Sequence, residues 1–584
     1  MASDRLARAA LVVTVLGVAA CGSGGGPKFA LRPPVLVDQD LDYVAVECKK
    51  GTKPEDCKPE EYESSFAWDA ADNSLFRPPS YALRLKSVGE ARNVNAFDEV
   101  PDSSWFVNRI GAAPMNPGQV ESGYCVAGKT LDGEPPADGW LIDHGKDNGA
   151  NPGFRIKVDG TKYMLKTDES QGERATAATA IASRFYYAAG WWAPCDSIVY
   201  FTRKQLKLKP GLTIKANTGP PRPFDEKLLD ELLSKTSRRG DRFRAAASRW
   251  LPGKPLGPFK YEGRRPDDPS DVIPHEHRRD LRGARVMAAW LNHFDSREQN
   301  SMDTWHDEDE KHPTGKGHVR HWYIDMGDCF GSEWTIDGFS RRHGQSYILD
   351  FRWILQDFVS LGIPERPWDR ARHNPHAEDF GYFTARDFDP DEYKGEYPNP
   401  AFQNLQERDG AWAARIIARF EPEHVAAAVK AGNLTNPAHT KFLMDTLLAR
   451  QKIILTRYFS KVSPVTDVHV DAGALCAVDL ARKTSTWPEG AFTYKASVQR
   501  AGADRRSDEH PQVTAGEGGK VCIALPPKAP ASGPADDHPS RYVVVRVANG
   551  VARGPLVLHL YDLGSTGGLR LAGIERPDDA DDAD

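Results

Sequence analysis

The apolar positions begin with an unbroken run of apolar or small residues, Ala9 to Ala20, after which periodicity is lost until about residue 86. From about 86 to 205 they fall in short alternating runs, among them Phe154 to Val158 and Tyr163 to Lys166. The pair Asp159-Gly160 between these runs tolerates the positive φ angles of a tight turn, so the pattern predicts a β-hairpin. A helix should follow, because Ala175, Ala178, Ala182, Phe185 and Ala189 recur at spacings of three and four on one face and Gly190 supplies a stop. Ile198 to Phe201 reads as the next strand.

Between about 223 and 460 the period becomes helical. Leu281, Ala284, Met287, Ala288 and Leu291 make one apolar stripe, and Ala411 to Phe420, Glu423 to Ala431 and Thr440 to Phe459 make three more helices with Arg-rich outer faces. Val319 to Ile324 interrupts them as a strand. Beyond about 464 alternation returns in Val465 to Val470, Lys520 to Leu525, Arg541 to Val547 and Leu556 to Tyr561, which predicts a small antiparallel β-sandwich. The pattern is that of an α+β protein: a strand-rich lobe over 86–205, a helical lobe over 206–462 and a sandwich over 463–577. At 584 residues the chain is too long for one core, and three or four domains are expected.

The ends are of another kind. Arg5 and Arg8 precede the first apolar run, which is shorter than the roughly 20 residues a spanning helix needs, and it stops at Val18-Ala19-Ala20-Cys21. Residues 1–20 therefore read as a signal peptide ending in a lipobox, with Cys21 as the lipidated residue. Residues 21–85 read as a tether and cover segment that opens with Gly22-Ser23-Gly24-Gly25-Gly26. The expected location is the cell envelope, at the outer membrane, held there by the lipid anchor.

The net charge is −6 with Lys and Arg dispersed, and residues 578–584 (DDADDAD) form an acidic tail, so nucleic acid is not expected as a partner. Export permits disulfides. Cys48 and Cys57 enclose a short polar loop and should pair, and Cys476 and Cys522 could staple two strands of the sandwich; Cys125, Cys195 and Cys329 leave an odd thiol. No CxxC and no Cys/His cluster with zinc spacing occurs, so no structural zinc site is expected. His275 and His277 fall on different faces at the start of a helix and read as capping or surface residues.

Phosphoryl transfer needs a cation on the phosphates, a carboxylate to hold that cation, a group that orients the acceptor, and oxygen ligands for Mg²⁺. The chain presents such groups in order. Lys166 ends a strand, Glu173 precedes the alanine-rich helix, Asp295 and Asn300 stand in HFDSREQN, and Asp325 follows VRHWYI in IDMGDCFG. The interval of five from Asp295 to Asn300 and the stretch Ile324-Asp325-Met326-Gly327 resemble the catalytic and metal-binding loops of the atypical protein-kinase-like fold, as in phosphatidylinositol kinases and HipA-type bacterial kinases. Tyr163 to Pro194 is similar to part of the HipA-type N-lobe, and the resemblance covers about residues 140 to 460.

The resemblance implies a two-lobed kinase-like core that uses ATP and Mg²⁺. Lys166 would contact the α and β phosphates with Glu173 as its ion-pair partner, Asp295 would accept or orient the acceptor hydroxyl, and Asn300 with Asp325 would hold the metal. Asp328 is the rival ligand. The phosphate loop would be Asn148 to Gly153, with Gly149 and Gly153, although it lacks GxGxxG. Two functions compete: an exported phosphotransferase, and an inactive lipoprotein whose lobes form a binding platform for a protein or envelope partner.

Overall fold

The computed structural model describes residues 27–33, 39–48, 51–83, 88–127, 130–131, 139–145, 153–168, 172–214, 221–331, 337–471, 473–501, 508–530 and 533–579. Residues 1–20, expected as a signal peptide, Cys21, Gly149 and residues 580–584 lie outside them. The fold is mixed α+β. Strands β1 (Trp140–Gly145), β2 (Gly153–Val158) and β3 (Thr161–Lys166) lead into helix α1 (Arg174–Ala189), and β4 (Asp196–Phe201) and β5 (Leu206–Leu208) follow. The hairpin forms where expected, with Asp159 and Gly160 at φ 46° and 78° closing β2 onto β3.

The helical section holds a strand that the pattern did not reveal. β6 (Arg242–Arg249) lies between β4 and β3, so the sheet runs β4-β6-β3-β2-β1-β5, with Arg238–Arg239 paired beside β6. The boundary expected at 205/206 therefore cuts through a sheet that continues to 249. Its apolar face, including Trp140, Phe154, Ile156, Leu165, Phe201 and Ala245, makes its own core.

α1 departs from expectation in a second way: every side chain but that of Tyr187 is buried, so the helix is enclosed on all sides rather than amphipathic. It packs into the largest core with α2 (Arg279–Leu291), α4 (Glu407–Ile417), α5 (Pro422–Lys430) and α6 (Pro437–Phe459). Arg415 and Arg450, expected on outer faces, are buried. Arg450 donates from Nη2 to Ala289 O at 2.6 Å, serving a helix carbonyl instead of solvent. Between α2 and α4, α3 (Phe351–Ser360) buries none of its residues and leaves Leu355, Phe358 and Val359 exposed.

A second sheet supports the end of α2. β7 (Lys254–Gly257), β8 (Ser301–Asp307) and β9 (Lys316–Tyr323) pair in order, and the two-residue strand Val44–Ala45 adds to the edge of β9. The cover segment is thus laced into the fold, and Asp40 is buried against Arg278 Nη2 at 3.1 Å.

From 465 to 575 two four-stranded antiparallel sheets share a core that includes Leu475, Val498, Ile523, Val545 and Leu558. The three disulfides are Cys48–Cys57 and Cys476–Cys522, both as expected, and Cys125–Cys195, which leaves Cys329 as the buried free thiol among the described residues. No helix of the described residues is long and apolar enough to cross a membrane.

Candidate functional site

Lys166 is the last residue of β3 and faces Gly153 on one side and Ala246 on the other, a central position in the sheet. Gly153 is dictated by the backbone: a Cβ there would lie 2.2 Å from the carbonyl oxygen of Leu165. The Lys166 side chain leaves the strand end and its Nζ meets Asp325 Oδ1 at 2.5 Å, across 159 positions of sequence.

Asp325 is placed there by two connected loops. α2 ends on Asn292 in the left-handed conformation, after which His293 to Arg297 turn toward β8. Ile324, at the end of β9, donates its N–H to Asn300 O at 3.0 Å, and Asp325 then adopts φ 58°, an uncommon conformation that Asp tolerates better than most residues. Phe330 N–H returns to Leu291 O at 2.9 Å and closes the second loop on the helix end.

The loops are also fastened to each other. Asp328 Oδ2 accepts the backbone N–H of Asp295 at 2.7 Å, and Asn300 Nδ2 donates to Asp295 O at 2.9 Å. Asp328 is therefore the clamp of the catalytic-loop candidate. Its second oxygen, Oδ1, is 3.6 Å from His293 Nε2, while Tyr186 OH bonds His293 Nδ1 at 2.8 Å. Asp295 Oδ1, Asp328 Oδ1 and His293 Nε2 are buried atoms without a hydrogen-bond partner among the described residues. Arg297 lies 3.5 Å from Asp295 Oδ2 and 2.6 Å from Glu396 Oε2.

The resulting cluster holds Asp295, Asp325, Asp328 and Glu396 against Lys166 and Arg297, so carboxylates outnumber cations. Burial, then repulsion from Asp295, pushes the Asp328 carboxyl well above its usual range. The same two causes push Glu396 up to about 8 despite its contact with Arg297. Burial lowers His293 to about 4, which keeps the ring neutral. A cavity of about 330 Å³ lies beside Arg297, lined also by Arg77, Lys260, Glu298 and Tyr397.

One expected contact is replaced. Glu173 stands at the start of α1 but faces Arg244 of β6, with Oε1 3.4 Å from Nη1, and its Oε2 accepts the Thr435 N–H at 2.6 Å. The seven-residue interval to Lys166 leads into the helix start, and the buried guanidinium of Arg244 claims the carboxylate there. Lys166, Asp295, Asn300 and Asp325 do converge. The sequence reading did not place His293, Arg297 or Glu396 at this site. The first two adjoin Asp295 in HFDSREQN, whereas Glu396 lies about a hundred residues on, within no motif. His275, expected in a capping or surface role, is instead buried and bonds Asp271 Oδ2 at 2.9 Å, whereas His277 is partly exposed. Compared with protein-family models, with curated proteins and with solved structures, the chain matches none.

Proposed function

We propose that the chain is an exported phosphotransferase with a kinase-like two-lobed core, anchored in the cell envelope at the outer membrane by a lipid on Cys21, and that it moves the γ-phosphoryl group of ATP to an acceptor hydroxyl. The observation that carries this reading is the convergence of Lys166 with Asp325, and of Asp295 with Asn300 and Asp328, from three separate stretches of sequence.

The donors fit a hard dication. Asp325, Asn300 and Asp328 offer oxygen, and the Asp328 oxygen Oδ1 is buried without a hydrogen-bond partner among the described residues. Asp325 and Asn300 would hold Mg²⁺, with Asp328 at its margin; when bound, the metal supplies neutralisation of phosphate charge. Asn300 uses its amide nitrogen on Asp295 O, which leaves the amide oxygen as the ligand atom. Lys166, half-buried at the strand end, offers its ammonium group to the phosphates in place of Asp325. Asp295 has one oxygen near Arg297 and one without a hydrogen-bond partner among the described residues, so it can orient or accept the proton of the attacking hydroxyl.

A second reading, a catalytically silent binding platform for a protein or envelope partner, is favoured by Glu173. With that carboxylate on Arg244, Glu173 does not hold Lys166 in the manner the resemblance implies.

Thermal unfolding with ATP alone and with ATP plus Mg²⁺ separates the two. The wild type should show a metal-dependent rise in Tm. Asp325→Ala should unfold near the wild-type temperature without ligand but lose that rise, because its side chain is one-third exposed. Asp328→Ala should lower the ligand-free Tm, because it removes the clamp on Asp295. Absence of a metal-dependent rise in the wild type would reject the enzyme and favour the platform.

A further inference from the structure

A second group of ligand-type side chains lies where α6 begins. His439 is in the first turn of α6 and is buried, while His376 stands just before the short helix Ala377–Phe380 and Glu378 within it. One ligand atom from each of His376, Glu378 and His439 lies within 4.8 Å of the other two.

The His439 ring is held in one orientation. Its Nδ1 is 2.7 Å from Asp379 Oδ2, and Asp379 Oδ1 accepts the backbone N–H of Glu173 at 3.0 Å, so both oxygens of that buried carboxylate are in use. An acceptor at Nδ1 places a proton there and leaves Nε2 as the free lone pair of a neutral ring. Nε2, however, faces a second carboxylate, Glu378 Oε1, at 2.8 Å, and the His376 ring stands 4.9 Å away, centroid to centroid. The ring thus stands between two carboxylates, with a second imidazole beside it, a mixed nitrogen and oxygen donor set gathered at one point.

We propose that His376, Glu378 and His439 form a binding site for a d-block dication of the Zn²⁺ class, with Asp379 as the carboxylate that orients His439. Two imidazoles and one carboxylate suit zinc, whereas a magnesium site would be built of oxygen alone. Glu378 has a side-chain exposure of 59%, so the site opens to solvent and leaves a fourth position for water. No local motif marks the site, because His439 is distant in sequence from His376 and Glu378.

The site would stiffen α1. Asp379 bonds the Glu173 N–H, and Arg174 Nη2 donates to Ala377 O and Glu378 O at 3.3 and 2.6 Å, so the ligand loop is tied to the first turn of α1. Occupancy should therefore protect the amides at the start of α1 from exchange. This inference does not depend on the phosphotransferase reading.

The test uses the mature chain stripped with a chelator and desalted. Native mass spectrometry against ZnCl₂ should show one zinc per chain, Co²⁺ should give the absorption bands of a four-coordinate site, and excess Mg²⁺ should not compete. His376→Ala and Glu378→Ala, which alter partly exposed positions, should each weaken zinc binding by about tenfold or more. Asp325→Ala, in the other site, and His318→Ala, beside the buried His306, should retain it. A wild-type chain that binds no zinc, or both ligand variants binding with wild-type affinity, would overturn the proposal. Hydrogen exchange at residues 173–176 adds an independent readout, because a purely ionic network there would not respond to zinc.

Discussion

Glu396 meets Arg297 at 2.6 Å, yet burial and the charge of Asp295 hold its proton up to about pH 8. In the unfolded chain the same carboxyl ionises near its ordinary value of about 4.5. The fold thus favours the protonated acid, and this contribution to stability is complete below that ordinary value and is lost as pH rises to about 8. His293 acts in the opposite sense. Lowered to about 4, it contributes stability above its ordinary value, near 6.5, and loses it as pH falls. Between about pH 6.5 and 8 the Glu396 effect is therefore seen with little from His293, and wild-type stability should decline with pH over that window. Glu396→Gln should flatten the decline without removing it, because Asp328, raised by the same causes, acts in the same direction. Denaturant titrations at half-unit pH steps would check this, and an equal slope in variant and wild type would count against the shifted carboxyl. At this scale Lys166, Asp295, Asn300 and Asp325 were legible in the sequence because each adjoins a recognisable strand end or loop. Glu396 was not, because nothing local distinguishes a buried glutamate beside Tyr397 from a surface one.

Elements with their own periodic signal appear where their sequences place them. The hairpin at Asp159-Gly160, the helices of the second half and the sandwich strands all fall within a few residues of expectation. β6 is different, since its core is Arg242-Phe243-Arg244-Ala245-Ala246-Ala247, with alanines that favour helix and an arginine in the middle. It is a strand because β3 and β4 pair with both of its edges, and because Arg244 has a buried place to go. Arg244 donates to Thr176 Oγ1 of α1, to Tyr200 OH of β4, and to Gly432 O and Asn433 O beyond α5, all at 2.6 to 2.8 Å. It lies 3.4 Å from Glu173 and 3.9 Å from Asp168, whose carboxyl burial pushes up to about 6. One side chain thus joins the sheet to the helices. Arg244→Met keeps the bulk but strands these acceptors, and the expected cost is about 3–5 kcal/mol, read as a shift in denaturation midpoint. Arg244→Lys should recover little, because an ammonium group cannot reproduce the planar set of donors. A neutral outcome for Arg244→Met would mean that apolar packing alone holds the junction.

Across the whole molecule the same device recurs, with Asp98 at the centre. It sits in the loop before the first strands and gathers Arg279 of α2 at 2.6 Å, Arg576 just after the last sandwich strand at 3.0 Å, and Arg415 of α4 at 3.8 Å. These guanidinium groups overcome the cost of burial and hold the Asp98 carboxyl down to about 2, so its charge supports folding at every pH above the ordinary aspartate value. Arg576 also donates to Val465 O at 3.1 Å, and Ile574 N–H bonds Ala96 O at 2.8 Å, which sews the end of the sandwich to the loop before it. Periodicity reveals a sandwich and a helical region but not their junction, because the groups that join them are single charged residues hundreds of positions apart. The sandwich nonetheless has its own core and a Cys476–Cys522 bridge, so it can survive separation. Asp98→Ala would leave Arg279 to pair with Asp409, Arg415 to pair with Glu99, and Arg576 with no other ion pair among the described residues, at a cost of about 3–5 kcal/mol, most of it at the junction. Scanning calorimetry should then resolve two transitions in the variant, with the sandwich transition the less displaced from the wild type. Limited proteolysis should cut the variant first near residues 460–465, where the helical part hands over to the sandwich. A single transition at the wild-type temperature would show that the interface is held by its apolar contacts, Phe97 on the sandwich core among them, and not by Asp98.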